Sequence, residues 1–175
     1  MREQLSDNKD FIIQIKGLKI GKYEYGFLVD GAFFKRFGNT QVFDAAVDVR
    51  ILLEKGSGWM NVVCEADGKL VVECDRCLEP MSLPVHGECS LSARLGEEDE
   101  DDGDLITVAE NPGVLDLSWY LYEMVALGIP MRHVHPEGQC DAAIVEKLSG
   151  AGQEKPVDPR WAALEQLKTK TNNKE

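Results

Sequence analysis

The chain is short of positive charge, has few histidines, and contains no long apolar run. Three histidines among 175 residues, with no serine in a nucleophile-elbow or triad setting, leave little material for hydrolytic catalysis. No segment is apolar for long enough to be a signal peptide or a membrane span. The five cysteines are an odd number. A reducing cytoplasm, rather than a disulfide framework, is therefore expected. Nineteen basic residues stand against 31 acidic ones, a formal net charge of −12, which opposes nonspecific attraction to phosphate backbones. What the chain does have is a 43% apolar fraction, enough for one core that needs neither disulfides nor a metal in order to fold.

Most of that apolar material alternates. Phe43, Ala45, Val47, Val49, Ile51 and Leu53 share one parity, opposite Asp44, Asp48, Arg50 and Glu54. The same is true of Met81, Leu83, Val85, Gly87, Cys89, Leu91, Ala93 and Leu95, which alternate with Ser82, Pro84, His86, Glu88, Ser90, Ser92 and Arg94. Period-2 patterns of this kind read as long strands with one wet face, and they place Cys89 and Cys64 in the core and His86 in solvent. Shorter strands are expected over 11–15, 22–29, 59–64, 69–74 and 105–108, with Asp67-Gly68 as a two-residue hairpin turn. Asp30 caps a short helical turn through Phe37, whose three phenylalanines cover one end of the core. Asp116 caps a core-facing helix with Leu117, Tyr120, Leu121, Met124, Val125 and Leu127 on its stripe.

The predicted fold class is α+β, a mainly antiparallel twisted sheet or open barrel-like β core with a packed helix and a C-terminal helical segment. Residues 1–9 read as a disordered N-terminus and 10–148 as a single domain. Within that domain, 97–104 holds seven acids in eight residues, the composition of a solvated loop or of an acidic lure for a basic partner. Asp141 begins a last short helix through Leu148. From 149 to 175 the chain reads as a flexible linker, an amphipathic helix over 158–168 and a disordered tail. That helix carries Trp161, Leu164 and Leu167 as an apolar stripe for docking in cis or on a partner. Lys35 and Arg36 belong to the only cationic cluster of the N-terminal part, either a partner-binding patch or a solvated face.

The chemistry centres on Cys74-Asp75-Arg76-Cys77. A thioredoxin-type CxxC places its second thiol at a helix start, where the helix dipole lowers the thiolate pKa, but here Pro80, Pro84 and strand alternation follow. A redox switch is thus the weaker reading. Zinc, by contrast, accepts thiolate and imidazole, and structural sites commonly pair one CxxC knuckle with two ligands from a distant loop. Pro136 and Gly138 keep 131–140 irregular, free to turn His135 and Cys140 toward one point. Cys74, Cys77, His135 and Cys140 therefore form a candidate zinc set, and four unligated side chains are the other reading.

Cys74-Asp75-Arg76-Cys77-Leu78-Glu79-Pro80, the Asp116-Leu117 helix ending in Leu127-Gly128-Ile129-Pro130, His135 with Cys140, and Asp158-Pro159-Arg160-Trp161-Ala162-Ala163-Leu164 together resemble the YceD family, the large ribosomal RNA subunit accumulation proteins. The resemblance is order-preserving over roughly residues 40 to 168 and is closest to the versions of Bacteroidetes-like bacteria. It implies a non-enzymatic cytoplasmic factor for 23S ribosomal RNA accumulation and large-subunit biogenesis. Its partners would be the 23S rRNA precursor or large-subunit ribosomal proteins, with no membrane and no small-molecule substrate. Many relatives carry a fuller cysteine set where this chain has only His135 and Cys140. A zinc-stabilised protein-interaction adaptor is the alternative function.

Overall fold

A computed structural model describes residues 11–97, 100–102 and 105–151. The chain divides into two units, Met1–Val134 and His135–Glu175, taken here in turn. In the first unit the order is β1 (Ile12–Gln14), β2 (Gly21–Asp30), α1 (Gly31–Arg36), β3 (Val42–Lys55), β4 (Trp59–Glu73), β5 (Pro80–Gly96), β6 (Glu100–Asp102), β7 (Leu105–Ala109), β8 (Val114–Asp116) and α2 (Ser118–Leu127). Six strands form one sheet in the order β2-β3-β4-β5-β7-β6, and β1 pairs with β8 in a separate ribbon. Every neighbour is antiparallel except β5 and β7. The expected α+β class is observed, and of its two forms the sheet is the open one, not closed into a barrel.

Alternation becomes a two-faced sheet because successive strand residues point to opposite sides. Val47, Val49, Ile51 and Leu53 of β3 are buried beside Met60, Val62, Cys64, Leu70 and Val72 of β4 and Met81, Leu83, Val85, Leu91 and Ala93 of β5. Leu121, Met124 and Val125 of α2 are buried with them. A side chain at Gly87 would meet Met124 Cγ at 2.9 Å and its carbonyl oxygen at 3.0 Å, so only glycine lets the helix lie this close to β5. At the other end of the sheet, Asp30 Oδ1 accepts the Phe33 N–H at 3.0 Å to cap α1. Phe33 and Phe34 are buried as the reading of the three phenylalanines requires, and Phe37 stacks on Tyr122 with ring centroids 4.5 Å apart.

The structure departs from the sequence reading at several points. Asp67-Gly68 is not a turn: β4 runs unbroken from Trp59 to Glu73. A Cβ on Gly68 would lie 2.3 Å from the Ala46 carbonyl oxygen and 2.5 Å from Val47 Cα. Glycine is there for close approach of β3, not for a type I′ turn. The register shifts between Val42 and Asp44, and that irregularity buries Val42 while exposing Phe43, against the parity that grouped Phe43 with the core. The acidic run is not wholly a loop, since Glu100–Asp102 pairs with β7 as β6. Its residues 98, 99, 103 and 104, like the N-terminus 1–9, lie outside the described residues. Helix α2 begins one residue late, with Leu117 as N-cap, while Asp116 Oδ1 still accepts the Ser118 N–H at 2.8 Å. Leu127, grouped with its buried stripe, is exposed.

In the second unit His135–Cys140 is irregular and α3 spans Ala142–Ala151. Asp141 Oδ1 accepts the N–H groups of Ala143 (2.8 Å) and Ile144 (3.1 Å), an N-cap arrangement. The expected end at Leu148 is overrun: Ser149 Oγ donates to the Val145 carbonyl and the helix continues to Ala151, three residues into the expected linker. The expected helix over 158–168 and the tail beyond lie outside the described residues. Among the described residues no helix is long and apolar enough to cross a membrane.

His86 lies on the wet face of β5, directly opposite Asp67 in the register, with Nδ1 2.8 Å from Asp67 Oδ1. The hydrogen bond to the carboxylate, then its charge, raise the imidazole pKa above its ordinary 6.5. A raised folded-state pKa stabilises the fold fully below 6.5, and the contribution is lost as pH rises through the folded value. An NMR titration is expected to find His86 above 6.5 in the native protein and closer to 6.5 in Asp67→Asn. An unshifted His86 in the native protein would refute the pairing in solution.

Candidate metal centre

The register of β4 with β5 ends at Glu73 opposite Pro80, leaving Cys74 to Glu79 as the connection. Its backbone is knotted by two hydrogen bonds, from Cys74 N–H to the Glu79 carbonyl (3.0 Å) and from Leu78 N–H to the Cys74 carbonyl (2.9 Å). Leu78 takes a φ of 64°, the left-handed conformation that a tight reversal demands and that a branched side chain resists. The Arg76 N–H donates to Cys74 Sγ at 3.4 Å. Both thiols are buried, Cys74 at 0% and Cys77 at 3% exposure. Since β5 follows the knuckle, no helix starts at Cys77, which is the feature a thioredoxin-type redox pair uses.

The segment before Val134 is tied back to the knuckle by a residue that sequence reasoning passed over. Asp75 N–H donates to the His133 carbonyl at 2.9 Å, and His133 N–H donates to Asp75 Oδ2 at 2.7 Å. The His133 ring stands with Nε2 3.6 Å from Asp75 Oδ1 and Nδ1 3.2 Å from the Pro130 carbonyl. Nothing in the side-chain pattern marks His133, because backbone donors leave no trace there. The one available signal was the aspartate inside the CxxC, whose carboxylate needs donors wherever it is constrained.

Beyond Val134, Gln139 N–H donates to the Pro136 carbonyl at 3.1 Å, and Gly138 has a φ of 81°. This is the turn geometry that asks for glycine at its third position. It folds Cys140 back until Sγ is 4.0 Å from His135 Nδ1.

The structure brings the four donors that the sequence singles out together as two pairs, Cys74 with Cys77 at the knuckle and His135 with Cys140 across the 136–139 turn. No disulfide joins any of the five cysteines. Three thiols and an imidazole are a donor set that zinc accepts, with Zn–S near 2.3 Å and Zn–N near 2.0 Å. The donor set fits a metal in chemistry. The other candidate residues lie apart from it. Lys35 is exposed in the last turn of α1, and Arg36 lies 5.5 Å from the Phe33 ring centroid and 5.8 Å from that of Phe11. Trp161, Leu164 and Leu167 lie outside the described residues.

The family model described as large ribosomal RNA subunit accumulation protein YceD matches residues 62–168. This chain belongs to the YceD family. The matched stretch takes in most of β4, the knuckle, β5, α2 and the His135–Cys140 segment. Comparisons with curated proteins and with solved structures returned no match. The family name links this YceD protein to the ribosome in general terms.

The Asp75 carboxylate is the testable part of this local architecture. Asp75→Ala removes the acceptor of the His133 N–H and is expected to cost at most about 0.5–1.5 kcal/mol, because the bond is exposed and water can take up the freed donor. Native-state hydrogen exchange is expected to show faster exchange at the His133 amide. An unchanged rate there would mean that the bond does not hold the segment.

Proposed function

We propose that this YceD protein is a non-enzymatic cytoplasmic factor for 23S ribosomal RNA accumulation and large-subunit biogenesis. It acts on the pre-ribosomal particle through basic ribosomal proteins, and a structural zinc is held by Cys74, Cys77, His135 and Cys140. Family membership over 62–168 is the observation that carries the ribosomal part. A formal charge of −12 argues for a protein-mediated contact over direct RNA binding, because phosphate backbones reward cations. The wet face of the sheet supports the same choice. Asp48 lies directly opposite Asp67, and Arg50 opposite Glu65, which lies opposite Glu88. Arg50 is engaged by Glu24 at 2.9 Å and approached by Glu65 at 4.0 Å, so the strip as a whole attracts cations.

When bound, the metal supplies cross-linking and no chemistry of its own, since four protein donors close a tetrahedral site. The chain's part is to present the donors: the knuckle backbone fixes Cys74 and Cys77, and the 136–139 turn brings Cys140 to His135.

Metal analysis of protein purified without chelator is expected to find one zinc per chain. In Cys140→Ser it should fall well below one, with a lower melting temperature for the native protein after chelation. Zinc-free native protein with an unchanged melting curve would end the structural-zinc reading.

The ribosomal role is tested separately. In a deletion strain, sedimentation profiles are expected to show a deficit of large subunits relative to small ones. A pull-down is expected to retain large-subunit proteins after RNase treatment. Complete loss of those proteins with RNase would transfer the contact to RNA, and a normal profile would remove the role altogether.

A further inference from the structure

Cys64 and Cys89 take no part in the metal-donor group, yet they form the second cluster of thiols in the protein. They are directly opposed in the β4–β5 register. Both belong to the parity that faces the core, Cys64 at 0% exposure and Cys89 half-buried. Directly opposed residues of an antiparallel pair have Cα atoms about 4.5–5.5 Å apart, inside the range of about 4.4–6.8 Å that a disulfide requires. Cys89 also lines a surface cavity of about 370 Å³ together with Glu88, Tyr120, Glu123, Met124 and Leu127. One thiol is therefore reachable from solvent and the other is enclosed.

We propose that Cys64 and Cys89 are a thiol modification site, which a small neutral peroxide oxidises to a cross-strand disulfide with Cys89 as the attacking and Cys64 as the resolving thiol. Access assigns these roles: Cys89 is half-buried and lines the cavity while Cys64 is enclosed, and the hydrogen bond with Cys89, then burial, push the Cys64 thiol up. The carboxylates of Glu88 and Glu123 beside Cys89 oppose its ionisation and would repel an anionic oxidant, which leaves a neutral peroxide as the fitting one. In the first step the Cys89 thiolate attacks a peroxide oxygen. An S–O bond forms, the O–O bond breaks, and the leaving alkoxide or hydroxide takes a proton from water. In the second step Cys64 sulfur attacks the sulfenic sulfur of Cys89. The S–S bond forms, the S–O bond breaks, and the departing hydroxide leaves as water with the Cys64 proton. Two thiols and one peroxide give one disulfide, one alcohol or water, and one water. The strands need not part, because the two residues are already in register.

The test uses the full-length native protein, reduced, freed of reductant, exposed to hydrogen peroxide, alkylated and mapped by mass spectrometry. The expected product is a reductant-sensitive link between the Cys64 and Cys89 peptides. Before oxidation, Cys89 should be alkylated at least about tenfold faster than the enclosed Cys64. In Cys64→Ser, Cys89 should accumulate as a sulfenic acid trapped by a carbon nucleophile. In Cys89→Ser, Cys64 should stay reduced. Oxidation confined to Cys74, Cys77 and Cys140 in the native protein would overturn the proposal without recourse to any variant. Equal oxidation of Cys64 in Cys89→Ser would overturn the assignment of roles.

Discussion

The pairing of β4 with β5 is the constraint from which every site in this protein follows. It runs without a break from Trp59 opposite Arg94 to Glu73 opposite Pro80. Because side chains alternate with a period of two, a slip by one residue would turn the whole core face outward. That single register sets the Cys74–Cys77 knuckle at its closed end, Cys64 against Cys89 near its middle, His86 against Asp67 on the wet side, and Gly87 beneath Met124. Gly68 lets β3 lie against this pair on one side, and β7 continues the sheet on the other. The thiol chemistry of the chain is thus separated by geometry: one set at a hairpin end with backbone donors around it, the other within the sheet with only each other.

How much of this was legible depends on how local the cause is. Alternation from 42 to 55 and from 80 to 96 disclosed the long strands because parity is written in successive residues. The Asp30 cap was legible for the same reason. Gly68 was misread because Asp-Gly is a strong hairpin signal in isolation, and what overrules it is the backbone of Ala46 and Val47, more than twenty residues away in the chain. Phe43 was misplaced by a register shift that no parity count contains. The strand Glu100–Asp102 runs against its own like charges, and its pairing with Leu105–Thr107 is a tertiary outcome that composition argues against.

The donor group was legible by a different route. Residue type and loop composition name Cys74, Cys77, His135 and Cys140 as candidates, and the structure pairs the first two at the knuckle and the last two across the 136–139 turn. The residues that position them were not visible in that way. Asp75 and His133 work largely through main-chain groups, and a sequence shows side chains. Any knuckle of this kind hides its supporting hydrogen bonds from pattern reading, even where its ligands are plain.

The closed character of the donor group bears on what kind of protein this is. Catalytic zinc sites keep a position open for water or substrate, whereas four protein ligands leave none. With Cys74 and Cys77 buried and a backbone N–H already directed at Cys74 Sγ, a metal there would be screened from solvent and held by preorganised donors. Its free energy would then enter as folding free energy. Elsewhere, on the wet face of the sheet, Asp48, Glu65, Asp67 and Glu88 face one another across the strands with Arg50 and His86 among them. Under the proposed ribosomal role, a face of that sign would favour a basic protein as partner over a phosphate backbone.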